Sequence, residues 1–130
     1  MDIIELAGYG NLKNLIKSAQ EGMADAQYNL GVMYFEGKEV QQSYLEAAKW
    51  YSSAADQGDR QAQFNLGLMY YHGTGIPKNY LYAYELFKLA AAQGDERARQ
   101  GMAAILMEAP ADQAAEIRKL ESTQTRPTRH

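Results

Sequence analysis

A chain of 130 residues with 46% hydrophobic content and a net charge of −3 is one globular domain's worth of material, and that charge argues against a general nucleic-acid binder. It has no cysteine, which excludes disulfides and thiol chemistry. No stretch approaches the ~18 apolar residues of a membrane span. The opening Met1-Asp2-Ile3-Ile4-Glu5-Leu6 has neither a basic region nor a long apolar run. A secretory signal is therefore not expected, and the expected compartment is the cytoplasm, or the periplasm if a longer precursor loses a signal.

In chain order, Leu12 to Gly22 reads as a short helical half-unit. Ala24 to Glu36 follows, an amphipathic helix with Ala26, Leu30, Met33 and Tyr34 on one face. A loop opens at Gly37. Tyr44 to Asp56 is a second helix, with Ala47, Ala48, Tyr51, Ala54 and Ala55 on one broad face. Gly58 sits where that helix must end, because glycine takes the left-handed conformation without a Cβ penalty. Asp59 is placed to cap the next helix.

From there the pattern starts again. Ala26-Gln27-Tyr28-Asn29-Leu30-Gly31-Val32-Met33-Tyr34 returns as Ala62-Gln63-Phe64-Asn65-Leu66-Gly67-Leu68-Met69-Tyr70, a spacing of 36 with no insertion or deletion. The match runs on through Gly37/Gly73, Tyr44/Tyr80, Ala47/Ala83, Ala54-Ala55/Ala90-Ala91 and Gly58/Gly94, and Asp95 repeats the cap. The loop Gly73-Thr74-Gly75-Ile76-Pro77 keeps two glycines where its counterpart has Gly37 and Glu39. Glu96 to Glu108 is the first half of a further unit, its loop cut short at Ala109-Pro110. Ala111 to Glu121 supplies a last, atypical helix, and Ser122 to His130 reads as a disordered tail. A fixed period of this length is the signature of a solenoid whose units bury their apolar faces against their neighbours. Gly31 and Gly67 lie inside helices, where glycine costs about 1 kcal/mol against alanine. Its recurrence at one repeat position predicts close approach of the hairpin's second helix.

These residues resemble the Sel-one-like repeat family of the tetratricopeptide-like (TPR-like) solenoids. The first copy carries the motif as Ala26, Leu30, Gly31, Tyr34, Gly37, Val40, Ala47, Trp50, Ala54, Ala55 and Gly58. The second carries it as Ala62, Leu66, Gly67, Tyr70, Gly73, Gly75, Ile76, Ala83, Leu86, Ala90, Ala91 and Gly94. The departures are Glu39 for the loop glycine and Leu86 for the tryptophan. The resemblance implies an all-α fold, a right-handed α–α superhelix of helical hairpins over residues 1–121. It would hold two full repeats (about 24–58 and 60–94) and partial units at 11–22 and 96–121. It also implies a non-catalytic adaptor or scaffold whose first helices line a concave groove for a peptide or partner protein.

Tyr28, Val32 and Phe35 lie opposite the core face of their helix at about 100° per residue, and the second copy repeats the stripe as Phe64, Leu68 and Tyr71. A helix apolar on both faces is either buried on both sides or open to a partner. Mid-helix, Tyr28 and Phe64 fit packing against the next repeat as well as they fit a partner. Phe35 and Tyr71, nearer the helix ends, are expected to be exposed. Asn29 and Asn65 recur beside the stripe, with amides able to pair with an extended peptide backbone. The candidate partner-binding residues are therefore Tyr28, Asn29, Val32, Phe35, Phe64, Asn65, Leu68 and Tyr71.

Other chemistries find little support. His72 has no nucleophile or carboxylate motif beside it, no residue cluster has metal-ligand spacing, and Gly73-Thr74-Gly75 lacks the Gly-Lys-Ser/Thr of a phosphate loop. No cofactor is expected. The expected partner is a protein or peptide, not nucleic acid or a membrane. The chain is expected to be a monomer, with end-to-end dimerisation through the apolar N-terminus as the alternative. An inhibitor of one enzyme, of the immunity or antitoxin type, is the other functional class that suits a compact single domain.

Overall fold

The computed structural model describes residues 8–125. Among them are seven helices and no strand: α1 (Leu12–Gln20), α2 (Ala24–Glu36), α3 (Tyr44–Asp56), α4 (Arg60–His72), α5 (Tyr80–Ala92), α6 (Glu96–Glu108) and α7 (Ala111–Thr125). Each helix packs on the one before it. The hairpins α2/α3 and α4/α5 are the full repeats, α1 is the second half of a truncated unit, and α6 with α7 closes the other end. The core is segmental, as a solenoid requires. Leu15, Leu30 and Met33 fill its first part, Tyr51, Leu66 and Met69 its middle, and Phe87, Ile105 and Ile117 its last.

The helix-interior glycines have the expected cause. A Cβ on Gly31 would lie 2.6 Å from the Tyr51 ring, and one on Gly67 would lie 2.7 Å from the Phe87 ring. The aromatic of the second helix thus lies directly on the backbone of the first, which any larger residue would push away. Asp59 accepts from Ala62 N at 2.9 Å, and Asp95 accepts from Arg97 N and Ala98 N, so both cap the helix that follows. Met23 gives α2 no side-chain cap. Ser43 and Asn79, at equivalent repeat positions, cap α3 and α5.

An amide relay, buried at Gln27 and Gln63 and exposed at Gln57 and Gln93, joins the units. Gln57 donates to Gly22 O (2.8 Å) and to Gln27 Oε1 (2.9 Å), and Gln27 donates to Ala19 O. One repeat later Gln93 donates to Gly58 O and Gln63 Oε1, and Gln63 to Ala55 O. Ala19 O and Ala55 O, near the ends of α1 and α3, accept these bonds in addition to those from Gly22 N and Gly58 N.

Glu39 takes the same left-handed backbone as its counterpart, with φ 66° against 73° at Gly75, so the departure from glycine leaves the loop conformation intact. Gly75 is pressed against Tyr44, and a Cβ there would come within 2.2 Å of the Tyr44 Cβ. The residue one repeat before Tyr44 is the exposed Gly8, which has no side chain to crowd Glu39.

One boundary differs from the sequence reading. Residues 122–125 belong to α7 rather than to the tail, because Glu121 is tied to α5 by the Tyr84 hydroxyl (2.6 Å) and by Lys88 (3.5 Å), which holds the last turns. The remaining tail, 126–130, and the apolar N-terminus with Ile3, Ile4 and Leu6 lie outside the described residues.

Candidate partner-binding groove

The first helices α2, α4 and α6 turn a common face away from the hairpin cores, and two grooves lie between them. The groove between α2 and α4 contains a cavity of about 340 Å³. Tyr28, Val32, Phe35 and Glu36 line it from α2, and Asn65, Leu68, Met69 and His72 from α4. Tyr51 of α3 lies at its base and Thr74 at its edge. Five of the residues singled out by the sequence thus meet in one place: Tyr28, Val32, Phe35, Asn65 and Leu68. All five are half-buried.

The wall of this cavity is aromatic with a polar seam. Tyr28 lies 5.9 Å from Tyr51, ring centre to ring centre, and its hydroxyl donates to Gln61 Oε1 at 3.2 Å. Burial raises the pKa of both phenols, Tyr51 the more strongly, and the Asn65 amide beside them works in the opposite direction. Both hydroxyls therefore stay neutral at physiological pH and can donate or accept. Phe35 packs on Tyr44 at 4.9 Å, which makes it a wall of the cavity rather than an exposed side chain.

The groove between α4 and α6 is closed, although it is built in the same register. Phe64 stands where Tyr28 stands one repeat earlier, and it is only 8% exposed. Its placement among surface-binding residues is corrected by two neighbours: the ring packs on Phe87 at 5.7 Å, and the Arg97 guanidinium covers it at 4.0 Å. Arg97 is held over the ring by Asp95, through hydrogen bonds of 3.1 and 2.8 Å that keep the Asp95 carboxyl below the ordinary range. Phe87 fills the space that corresponds to the cavity, because Gly101 replaces Asn65; a Cβ on Gly101 would meet its ring at 2.6 Å. Tyr71 is half-buried rather than exposed. It packs on Tyr80 and Phe87, and its hydroxyl donates to Glu108. That hydrogen bond, with burial, pushes its pKa up to about 12. Asn29 is half-buried and does not line the cavity.

Sequence reasoning passed over Glu36, Tyr51, Met69, His72 and Thr74 as partner-binding residues. Tyr51 was visible as a core residue of its helix, and the signal that separates it from Phe87 is one hydroxyl at matched repeat positions. Among the described residues no cluster of three or more acids, histidines or cysteines could hold a metal ion, and no helix is long and apolar enough to cross a membrane.

Comparison with known proteins agrees with this architecture. The Sel1 repeat profile matches residues 24–59 and 60–95. A Sel1 repeat protein from Oxalobacter formigenes superposes with a TM-score of 0.68 at 36% identity, over 71% of this chain and 69% of that one. A protective antigen of uropathogenic Escherichia coli with an SLR fold gives 0.71 at 33% identity, over 88% of this chain but only 26% of its own length. Cysteine-rich protein B of Helicobacter pylori gives 0.64 at 31% identity, over 68% and 66% of the two chains; this chain holds its hairpins without any cysteine. No curated protein matches the chain in sequence. Proteins with such repeats typically bind protein partners and are generally non-catalytic scaffolds. With the profile matched over both hairpins and solved relatives sharing a third of its sequence, the chain belongs to the Sel1 repeat family.

Proposed function

We propose that this chain is a non-catalytic adaptor, monomeric in solution, that captures a segment of a partner protein in the concave groove between α2 and α4. The supporting observation is the cavity itself, an apolar site walled by Tyr28, Val32, Phe35 and Leu68 and open to solvent. Its volume of about 340 Å³ lies within the range of about 300–1,000 Å³ common to ligand sites. Aromatic walls supply contact area at low cost in side-chain entropy. The tyrosine hydroxyls and the Asn65 amide add orientation without charge. The polar outer face of α7, with Glu116, Arg118 and Lys119 exposed, suits a terminal cap and supports the monomer.

Affinity capture tests the assignment when wild type is run beside a Val32→Glu/Leu68→Glu variant shown by circular dichroism to remain helical. Both side chains line the cavity, and placing two carboxylates there should remove at least ~90% of a specific partner, given about 1.5–3 kcal/mol for each apolar group buried. A partner retained equally by both proteins would place binding on another face.

A further inference from the structure

Resting on that reading, we propose that the occupant of the α2/α4 groove is an extended peptide segment in which an apolar side chain fills the cavity and an adjacent lysine or arginine reaches Glu36. Three observations define these features separately.

Extended backbone is called for by Tyr51. This residue is 3% exposed and lines the cavity together with Asn65, whose amide hydrogen-bonds its hydroxyl. That one amide is shared by the Tyr28 and Tyr51 hydroxyls, so the cavity wall keeps unused hydrogen-bonding capacity, which is costly in a buried site. A helix has already spent its main-chain donors and acceptors internally, whereas an extended segment presents free N–H and C=O groups. In the closed groove the matching residue is Phe87, which has no hydroxyl to satisfy and whose ring occupies the space itself.

The apolar anchor follows from the remaining lining. Val32, Phe35, Leu68 and Met69 surround the cavity, and they offer nothing to a polar side chain.

The basic neighbour follows from charge. Glu36 lines the cavity, and its carboxylate and that of Asp59 both act on the Tyr28 phenol in the same sense. Arg97, the cation that acts on the same phenol, is already bound to Asp95 by two side-chain hydrogen bonds. Glu36 has a partner of its own in Lys38 at 3.4 Å, but both side chains are well exposed, 47% and 63%, so the pair is easily exchanged. Glu36 also ends α2, where helix carbonyls add negative potential that favours a ligand cation. His72 borders the same rim from α4.

Selection from a random library of unconstrained heptapeptides on phage tests the inference. The full chain is the bait, with depletion against Val32→Glu/Leu68→Glu. Expected is enrichment of an apolar residue with lysine or arginine beside it. A synthetic peptide from that pool should bind Glu36→Gln about three-fold more weakly, the scale of an exposed ion pair. It should bind Tyr51→Phe about five-fold more weakly, the scale of one hydrogen bond. The same peptide with its basic residue replaced by glutamate should bind wild type more weakly still, and should regain most of that loss on Glu36→Gln. Enrichment without a basic bias, enrichment of helix-forming sequences, no enrichment over the depleted bait, or unchanged affinity with Glu36→Gln and Tyr51→Phe would each overturn it. The two proposals fail separately: a native partner still lost from Val32→Glu/Leu68→Glu keeps the groove as the working surface even if the peptide chemistry is wrong.

Discussion

The two grooves of this small solenoid share a backbone and a register, and they differ in what a few side chains make of it. Between α2 and α4, Tyr28, Tyr51 and Asn65 leave a cavity. Between α4 and α6, Phe64, Phe87 and Gly101 occupy the matching positions, and the Phe87 ring fills the space against Gly101. Phe87 is pressed from both sides, where a Cβ on Gly67 would lie 2.7 Å and one on Gly101 2.6 Å from its ring, whereas Tyr51 lies against Gly31 and also lines the cavity. The closed groove also has two covers that the open one lacks. Arg97 lies over Phe64, where Gln61 only touches the Tyr28 hydroxyl, and Tyr71 is tied to Glu108, where Phe35 and His72 stand one repeat earlier. A repeat protein can thus use one interface for cohesion and leave its neighbour for recognition without changing the fold.

The sharpest test of the contrast is truncation of the two central rings. Phe87→Ala should lose about 3–5 kcal/mol of stability, the usual cost of deleting a large buried ring, measured as the fall in the urea midpoint. Tyr51→Ala should cost clearly less, because its far side borders an existing cavity; equal losses would show that the two interfaces bear the same load. Gly101→Ala comes next. Overpacking against Phe87 costs about 1–3 kcal/mol, offset in part by about 0.5–1 kcal/mol from replacing a helical glycine. The net effect should remain destabilising, and a stabilised variant would mean that Phe87 has room to move.

The Tyr71–Glu108 contact gives a smaller, pH-dependent difference. Its folded pKa, at about 12, lies above the usual value of 10.0. The contribution should therefore be complete below pH 10 and disappear as pH rises through about 12. At neutral pH Tyr71→Phe should cost no more than about 1 kcal/mol. The gap between wild type and variant should close between pH 10 and 12, which chemical denaturation across that range will show.

Much of this architecture was legible because a solenoid writes its contacts into its period. Gly31 and Gly67 announced the close approach of α3 and α5, and Asp59 and Asp95 announced the caps, since each depends on residues near in sequence. The candidate groove was legible only in part, because a helical wheel sees one helix at a time. Tyr28 and Phe64 occupy the same position on that wheel, yet one borders a cavity and the other is buried. What separates them sits one repeat further on: Asn65 or Gly101, Gln61 or Arg97. Burial of a groove residue was encoded, but in the difference between successive copies rather than in their likeness. The helical residues 122–125 are hidden for a related reason, since the bonds that hold α7 at Glu121 come from Tyr84 and Lys88 on another helix.

The smallest expected effect is the most telling for the open groove. Tyr51→Phe removes one hydroxyl and makes the first interface resemble the second at its central ring. If that hydroxyl were part of a satisfied core network, its loss would cost about 1 kcal/mol or more. The ring keeps its packing on Gly31, however, and the Asn65 amide that bonds the hydroxyl is shared with Tyr28, which can take up the bond Tyr51 gives up. Stability should therefore change by less than about 0.5 kcal/mol, or rise slightly as a polar atom leaves a buried site. A thermal melt of the free chain decides the point. A clear loss of stability would make Tyr51 a structural residue of the first interface, while a neutral result would leave its hydroxyl to whatever enters the cavity.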